Sequence, residues 1–252
     1  RASKKAGLKA GEPADWAHKA KKMRVLYDAK SGLYEQHDDY FDSPHMDCSK
    51  IPPTDFPLYH NWAYFKLFRW DMIKQPDVML LMFFFSHEYS MREKKVNFEY
   101  YEPRCSHESS LSPGMHSIFA AELGKHKKAY DYWGHAARLD LDDYNRNTKE
   151  GLHTTSMAAA WLNVAYGFGG MRSDGKVLSF NPSLPARWKR FSFKVLYHGG
   201  VLGISVDRNN VSFSTTAKQR ARLEVFGRLY TVTAKGLSVK MPASRVARSS
   251  SR

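Results

Sequence analysis

The sequence predicts a mainly α-helical protein that ends in a small antiparallel β module. Two patterns carry that expectation. Apolar residues recur at helical spacing from Glu12 to about Gly169, and the period falls to two after Asn181-Pro182-Ser183-Leu184-Pro185. Ten of the eleven histidines and five of the six tryptophans precede residue 183, so a polar, aromatic-lined site belongs to the helical part. The expected division is a helical region over 1–182, a β module over 183–242 and a solvated, disordered tail over 243–252.

The first helix is expected to open at Glu12-Pro13, with Trp16, Ala20, Met23 and Tyr27 on one face. Residues 29–59 are punctuated by Gly32, Pro44, Pro52, Pro53 and Pro57, which reads as a long ordered loop of the kind that wraps a site. Helical spacing resumes from His60 to Lys95, interrupted near Pro76. Ser112-Pro113 starts a helix that Gly124 ends, and Lys127 to Leu139 forms the next. A last helix begins at Thr154-Thr155-Ser156, shows Met157, Trp161 and Val164 on one face, and stops at Gly167. Its Ala158, Ala159 and Ala160 permit close helix approach. Short linkers between these helices predict antiparallel neighbours, as an all-α layer or toroid. Beyond residue 182, Phe191, Phe193 and Val195 alternate with Ser192 and Lys194. Gly199-Gly200, Asn209-Asn210 and Lys235-Gly236 then mark turns between further strands.

Composition excludes several classes. With 252 residues, 42% hydrophobic and 25% charged, the chain is globular rather than disordered. The longest apolar run, Val78 to Phe85, falls well short of the roughly 20 residues of a membrane span. Two cysteines, Cys48 and Cys105, make no disulfide scaffold, so a reducing, cytoplasmic setting is expected. The net charge of +14 is concentrated in residues 183–252, which carry 14 basic and 2 acidic residues in strand-like sequence. No compact basic reading element accompanies it, so neither nucleic acid nor membrane is expected as a partner.

Several segments could carry chemistry. The loop HDDYFDSPHMDC, His37 to Cys48, mixes hard and soft ligands at spacings that match no zinc box. Its acids are read as solvated groups that order the loop, and no metal site is assigned. Gly167-Phe168-Gly169-Gly170 follows a helix and lacks GxGxxG spacing, so it is not a dinucleotide loop. Two helix starts are more informative. His107, Ser109, Ser110 and Ser112 crowd one, and Gly151, His153, Thr154, Thr155 and Ser156 crowd the other. Free N–H groups at the positive end of a helix favour anions, and phosphate suits both. Simple helix capping is the plainer role for such residues. Glu88, Glu99, Glu102 and Glu108 are available acids, but no spacing pairs two of them across a reacting bond.

Four longer stretches carry a family resemblance: MIKQPDVMLLM (Met72 to Met82), YYEPRCSHESSLSPGMHSIFAAELG (Tyr100 to Gly124), ARLDLDDYNRNT (Ala137 to Thr148) and EGLHTTSMAAAWLNVAYGFGGMR (Glu150 to Arg172). In order and character they resemble family 65 glycoside hydrolases, the inverting phosphorylases of maltose, kojibiose, nigerose or trehalose. The resemblance implies the second half of an (α/α)6 barrel followed by that family's C-terminal β domain. It assigns Lys74 and Gln75 to the substrate, and His153, Thr154 and Ser110 to phosphate. It assigns no catalytic residue here, because the family's general acid is a glutamate in an MGPDEY-like motif that these residues do not contain. The general acid is expected upstream, and this chain alone is expected to be inactive. Inorganic phosphate is the co-substrate, with no cofactor and no metal, and a homodimer is implied for the full-length enzyme. Pro76 and Glu108 stand where Ala and Asp are usual, which bears on the sugar more than on the family. A family member using water instead of phosphate, or a non-catalytic carbohydrate-binding fragment, are the alternatives.

Overall fold

The computed structural model describes residues 6–217 and 220–247. Helix α1 (Glu12–Lys22) follows Gly11, with Pro13 in its first turn, acids at its start and lysines at its end, as the helix dipole favours. It buries none of its residues, and Trp16 is 52% exposed. The expected apolar face does not run on to Tyr27: the chain turns extended at Met23, and Tyr27 pairs with Tyr34 in a two-strand hairpin, β1 (Tyr27–Asp28) and β2 (Leu33–Tyr34).

The proline-rich loop that follows is ordered as single turns around one buried acid. Asp71 accepts the Met46 amide (2.8 Å), the His45 ring (2.8 Å) and the Arg104 guanidinium (2.7 Å). Burial alone would raise its carboxyl, but these three bonds outweigh burial and hold it below the ordinary value. Of the loop's own acids, Asp47 takes the Ser49 amide at 3.0 Å.

Helical spacing between His60 and Pro76 yields only two isolated turns, Leu58–Asn61 and Tyr64–Leu67. The rest of that stretch is captured by tertiary pairing. Ile73 lies beside Cys105, donating to the Arg104 carbonyl and accepting from the Ser106 amide, both at 2.9 Å. Regular helices then run as α2 (Asp77–Phe84), α3 (Met91–Tyr101), α4 (Ser112–Glu122), α5 (His126–Arg138) and α6 (Thr154–Leu162). Ser90 and Glu93 form a reciprocal capping box on α3. Pro113 lies in the first turn of α4, and Gly124 ends the segment at φ 73°. Helix α6 widens into a π-helical stretch over Asn163–Phe168.

Helix α4 is the centre of the layer, with nine buried residues. It passes α6 so closely that a Cβ on Gly114 would sit 2.5 Å from that of Ala159. The expected role of the alanine run is thereby met from the other side, by a glycine.

The β module begins earlier than residue 183. Strands β3 (Met171–Arg172) and β4 (Leu178–Phe180) already belong to it. They are followed by β5 (Arg190–Tyr197), β6 (Gly200–Asp207), β7 (Asn210–Thr215), β8 (Ala221–Val225), β9 (Arg228–Val232) and β10 (Leu237–Lys240). One four-stranded sheet has the order β10-β7-β6-β5, all antiparallel. The other has the order β3-β4-β8-β9 and contains a parallel β4–β8 pair that alternation cannot reveal. Leu202, Ile204 and Val206 of β6 point inward and meet Phe193, Val211 and Phe213 in the core between the sheets. Nor does a free tail begin at residue 243. Leu184 bonds both Arg245 and Ala247, and Ala247 is buried; residues 248–252 lie outside the described region.

The glycines once weighed as a nucleotide loop make the joint between the two parts. Gly169 lies under the Phe193 ring, and Gly170, at φ 58°, abuts the Asn181 backbone, so neither can carry a side chain. Trp188 and Phe191 pack against both hydrophobic clusters, and Glu122 ion-pairs with Lys94 (2.7 Å) and Arg172 (2.6 Å) across the junction.

Candidate functional site

Lys74, exposed on the extended segment before α2, lies 4.6 Å from the centre of the Tyr59 ring. The Tyr59 hydroxyl reaches Glu150 (3.4 Å) and receives a hydrogen bond from Asn147 (3.1 Å), while His60 pairs with Glu150 at 2.9 Å. Glu108, buried, takes the Leu58 amide through its side chain, and Asn145 donates to its main-chain carbonyl at 2.8 Å. Burial raises the Glu108 carboxyl above the ordinary range, against the pull of the Leu58 amide and the Lys74 charge. Four separate stretches, around residues 58–60, 74, 108 and 145–150, thus meet in one polar, aromatic-lined patch. Gln75 is exposed and is held through its carbonyl, 3.5 Å from the Gln36 amide.

Three residues beyond Glu150, His153 sits at the start of α6, yet its imidazole makes no cap hydrogen bond. Its Nδ1 lies 2.5 Å from Asp140, which also accepts the His153 amide at 2.8 Å. Asp140 is held below the ordinary carboxylate value chiefly by that imidazole bond. A carboxylate on Nδ1 selects the tautomer with its proton there and leaves the Nε2 lone pair outward. That nitrogen has no protein partner among the described residues. Thr154 and Thr155 are exposed beside it. Ser110, half-buried before α4, likewise keeps its hydroxyl free of protein partners among the described residues, whereas Ser109 takes the Leu111 amide.

His107, singled out with those serines, turns inward instead. Its backbone is left-handed, at φ 55°, and its ring packs 4.6 Å from that of His116. Tyr132 lies 3.1 Å from its Nε2 and donates to Glu102 at 2.6 Å. A cavity of about 740 Å³ opens here, lined by Cys48, Cys105, His107, Glu108, Tyr132 and Arg146 among others. None of Lys74, Gln75, Ser110, His153 and Thr154 lines it. Sequence reasoning missed Asp140, Tyr59, Glu150 and Asn147. Asp140 stood in a quoted motif, but its partnership with a histidine thirteen positions on is set by the turn between α5 and α6.

A helical layer with a polar, aromatic-lined site on its loops and a two-sheet β module docked behind it defines the class: a helical catalytic domain joined to a C-terminal β domain. The chain belongs to glycosyl hydrolase family 65, matching that family's central catalytic domain over residues 1–162 and its C-terminal domain over 171–232. It is 39% identical over 211 residues to a maltose phosphorylase of Bacillus subtilis, across 84% of this chain and 28% of that protein. With an α,α-trehalose phosphorylase of Thermoanaerobacter brockii it shares 41% identity over 210 residues, or 83% and 27% of the two chains. A solved structure provisionally described as a kojibiose phosphorylase from the human microbiome superposes with a TM-score of 0.84 at 40% identity, over 95% of this chain and 32% of that one. The chain therefore spans under a third of the length of these relatives. Among the described residues no helix is long and apolar enough to cross a membrane.

Proposed function

We propose that this chain supplies the sugar- and phosphate-holding part of an inverting disaccharide phosphorylase. The observation that carries this reading is His153, oriented by Asp140, with its other nitrogen free at the hydroxyl-rich start of α6. Relatives named as maltose, trehalose and kojibiose phosphorylases agree with it. In such a reaction a phosphate oxygen attacks the anomeric carbon as the glycosidic C–O bond breaks. A general acid on the opposite face gives its proton to the departing oxygen, yielding β-glucose 1-phosphate and a free sugar. Phosphate needs no carboxylate base to attack at neutral pH. It needs donors that offset its charge beside the sugar, which Thr154, Ser110 and the amides of a helix start provide, with His153 donating from Nε2 when its ring carries a proton on both nitrogens. Lys74 and Gln75, with Tyr59 below the lysine, are the groups proposed to hold the glucose ring.

The general acid is proposed to lie in a part of the catalytic domain outside these residues. The helices are proposed to form half of an (α/α)6 barrel. The exposure of Phe84, Phe85, Met157 and Trp161, 48–60% each, supports this, because it leaves apolar surface that further helices would cover. The 252 residues alone are then inactive, and the whole enzyme is proposed to be a cytoplasmic homodimer.

Kinetics of an enzyme carrying the complete catalytic domain test the reading. His153→Ala is expected to raise KM for phosphate about ten- to a hundredfold while leaving that for disaccharide nearly unchanged, through loss of one charge-assisted hydrogen bond. Lys74→Ala is expected to lower kcat/KM for the disaccharide about tenfold or more. Equal changes in both KM values for His153→Ala would remove it from the phosphate site. Glucose release without phosphate would identify a hydrolase.

A further inference from the structure

Behind the cavity, one potential ligand atom from each of Cys105, His107 and His116 lies within 4.8 Å of the others, and the proposed sugar and phosphate residues take no part in this cluster. We propose that Cys105, His107 and His116 form a binding site for a borderline-soft divalent cation of the zinc type, reached through the 740 Å³ cavity.

Each histidine is already oriented as a ligand would be. His116 is fully buried and its Nδ1 lies 2.7 Å from the Ser112 carbonyl, which fixes the proton on that nitrogen. Its Nε2 is left buried with no hydrogen-bond partner among the described residues. A fully buried lone pair without a donor is costly, and a metal ion satisfies it. His107 carries the complementary arrangement. Tyr132 gives its own proton to Glu102, so its oxygen accepts the His107 Nε2 proton, and the Nδ1 lone pair is left facing the weaker Ser112 hydroxyl contact at 3.3 Å. This carboxylate–tyrosine–histidine chain is the kind of outer support that fixes metal-ligating imidazoles.

Cys105 supplies the soft ligand. It binds metal by exchanging its thiol proton for the ion, the proton leaving to solvent. Tetrahedral zinc with sulfur and nitrogen ligands needs ligand atoms about 3.5 Å apart, so from within 4.8 Å the three close in by about 1.3 Å at most. Three protein ligands leave the fourth position for water from the cavity, into which Cys105 and His107 both open.

The metal-free enzyme carrying the complete catalytic domain is titrated with Co²⁺ as the optical probe, and Zn²⁺ is then added as competitor. The expected result is one equivalent of Co²⁺ per chain, a thiolate-to-cobalt charge-transfer band, and its disappearance on adding Zn²⁺. Cys105→Ser is expected to abolish the band, whereas Cys48→Ser retains it. Tyr132→Phe, which keeps the ring and removes only the orienting oxygen, is expected to weaken binding about ten- to a hundredfold. Circular dichroism of each variant verifies folding. Absence of the band in the native chain overturns the proposal, as does a band lost in Cys48→Ser but kept in Cys105→Ser. Should Cys105→Ser not fold, an unchanged affinity in Tyr132→Phe overturns it equally.

Discussion

Removing the carboxylate of Glu122 is the most informative single perturbation of this fold. Glu122 ends α4 and receives Lys94 of α3 at 2.7 Å and Arg172 of β3 at 2.6 Å, with side chains 15%, 4% and 12% exposed respectively. Among the described residues, only the Ser86 hydroxyl and two carbonyls share the remaining donors of the two cations. Glu122→Ala therefore leaves two desolvated positive charges facing an empty space, a defect that costs on the order of 3–5 kcal/mol. For a chain of this size that is a fall in Tm of about 6–20 °C. The acid limb of stability reports the same group. Burial alone would raise the carboxyl, and Arg172 and Lys94 outweigh it, so its folded value lies below the ordinary 4.5. As pH falls the unfolded chain takes the proton first, so the stabilisation is complete above about pH 4.5 and disappears as pH drops through the folded value. Thermal melts of native and Glu122→Ala chains from neutral pH downward should converge on the acid side. A loss below about 1 kcal/mol at neutral pH would place the trio among solvent-screened surface pairs and refute the argument.

Two further substitutions probe packing. Gly114→Ala places a methyl 2.5 Å from the Ala159 Cβ and should cost about 1–3 kcal/mol by forcing α4 and α6 apart; denaturant titration checks this, and adding Ala159→Gly should recover most of the loss. Trp188, between Trp133, Phe168 and Phe191, joins the two hydrophobic clusters, so Trp188→Ala should cost about 3 kcal/mol and split one melting transition into two by calorimetry. A single sharp transition at the native temperature would show that the two parts do not depend on it.

Local physics determined much of this protein. Period and capping placed α4, α5 and the start of α6 within a residue or two, since Pro113 and Gly124 act through their own backbone dihedrals. Alternation and the turn pairs placed β5, β6 and β7, since inward residues such as Leu202 and Ile204 need only a pleat and a core. His153 and Ser110 stood out at their hydroxyl-rich helix starts, whereas Lys74 was singled out by the family resemblance alone. Pairings between distant stretches, in contrast, were decided in three dimensions. Ile73 leaves the helical spacing because its backbone groups pair with those of Arg104 and Ser106 instead. β3 and β4 joined the sheet ahead of the apparent boundary because β8, far along the chain, offered β4 a parallel edge. Asp140 acquired its role only when the turn after α5 carried it to His153, and Cys105, His107 and His116 became a cluster only when α4 folded back against the loop before it. Periodicity reports how a residue meets its own element. Which lone pair faces which donor depends on how elements pack, and that information is distributed over the whole chain.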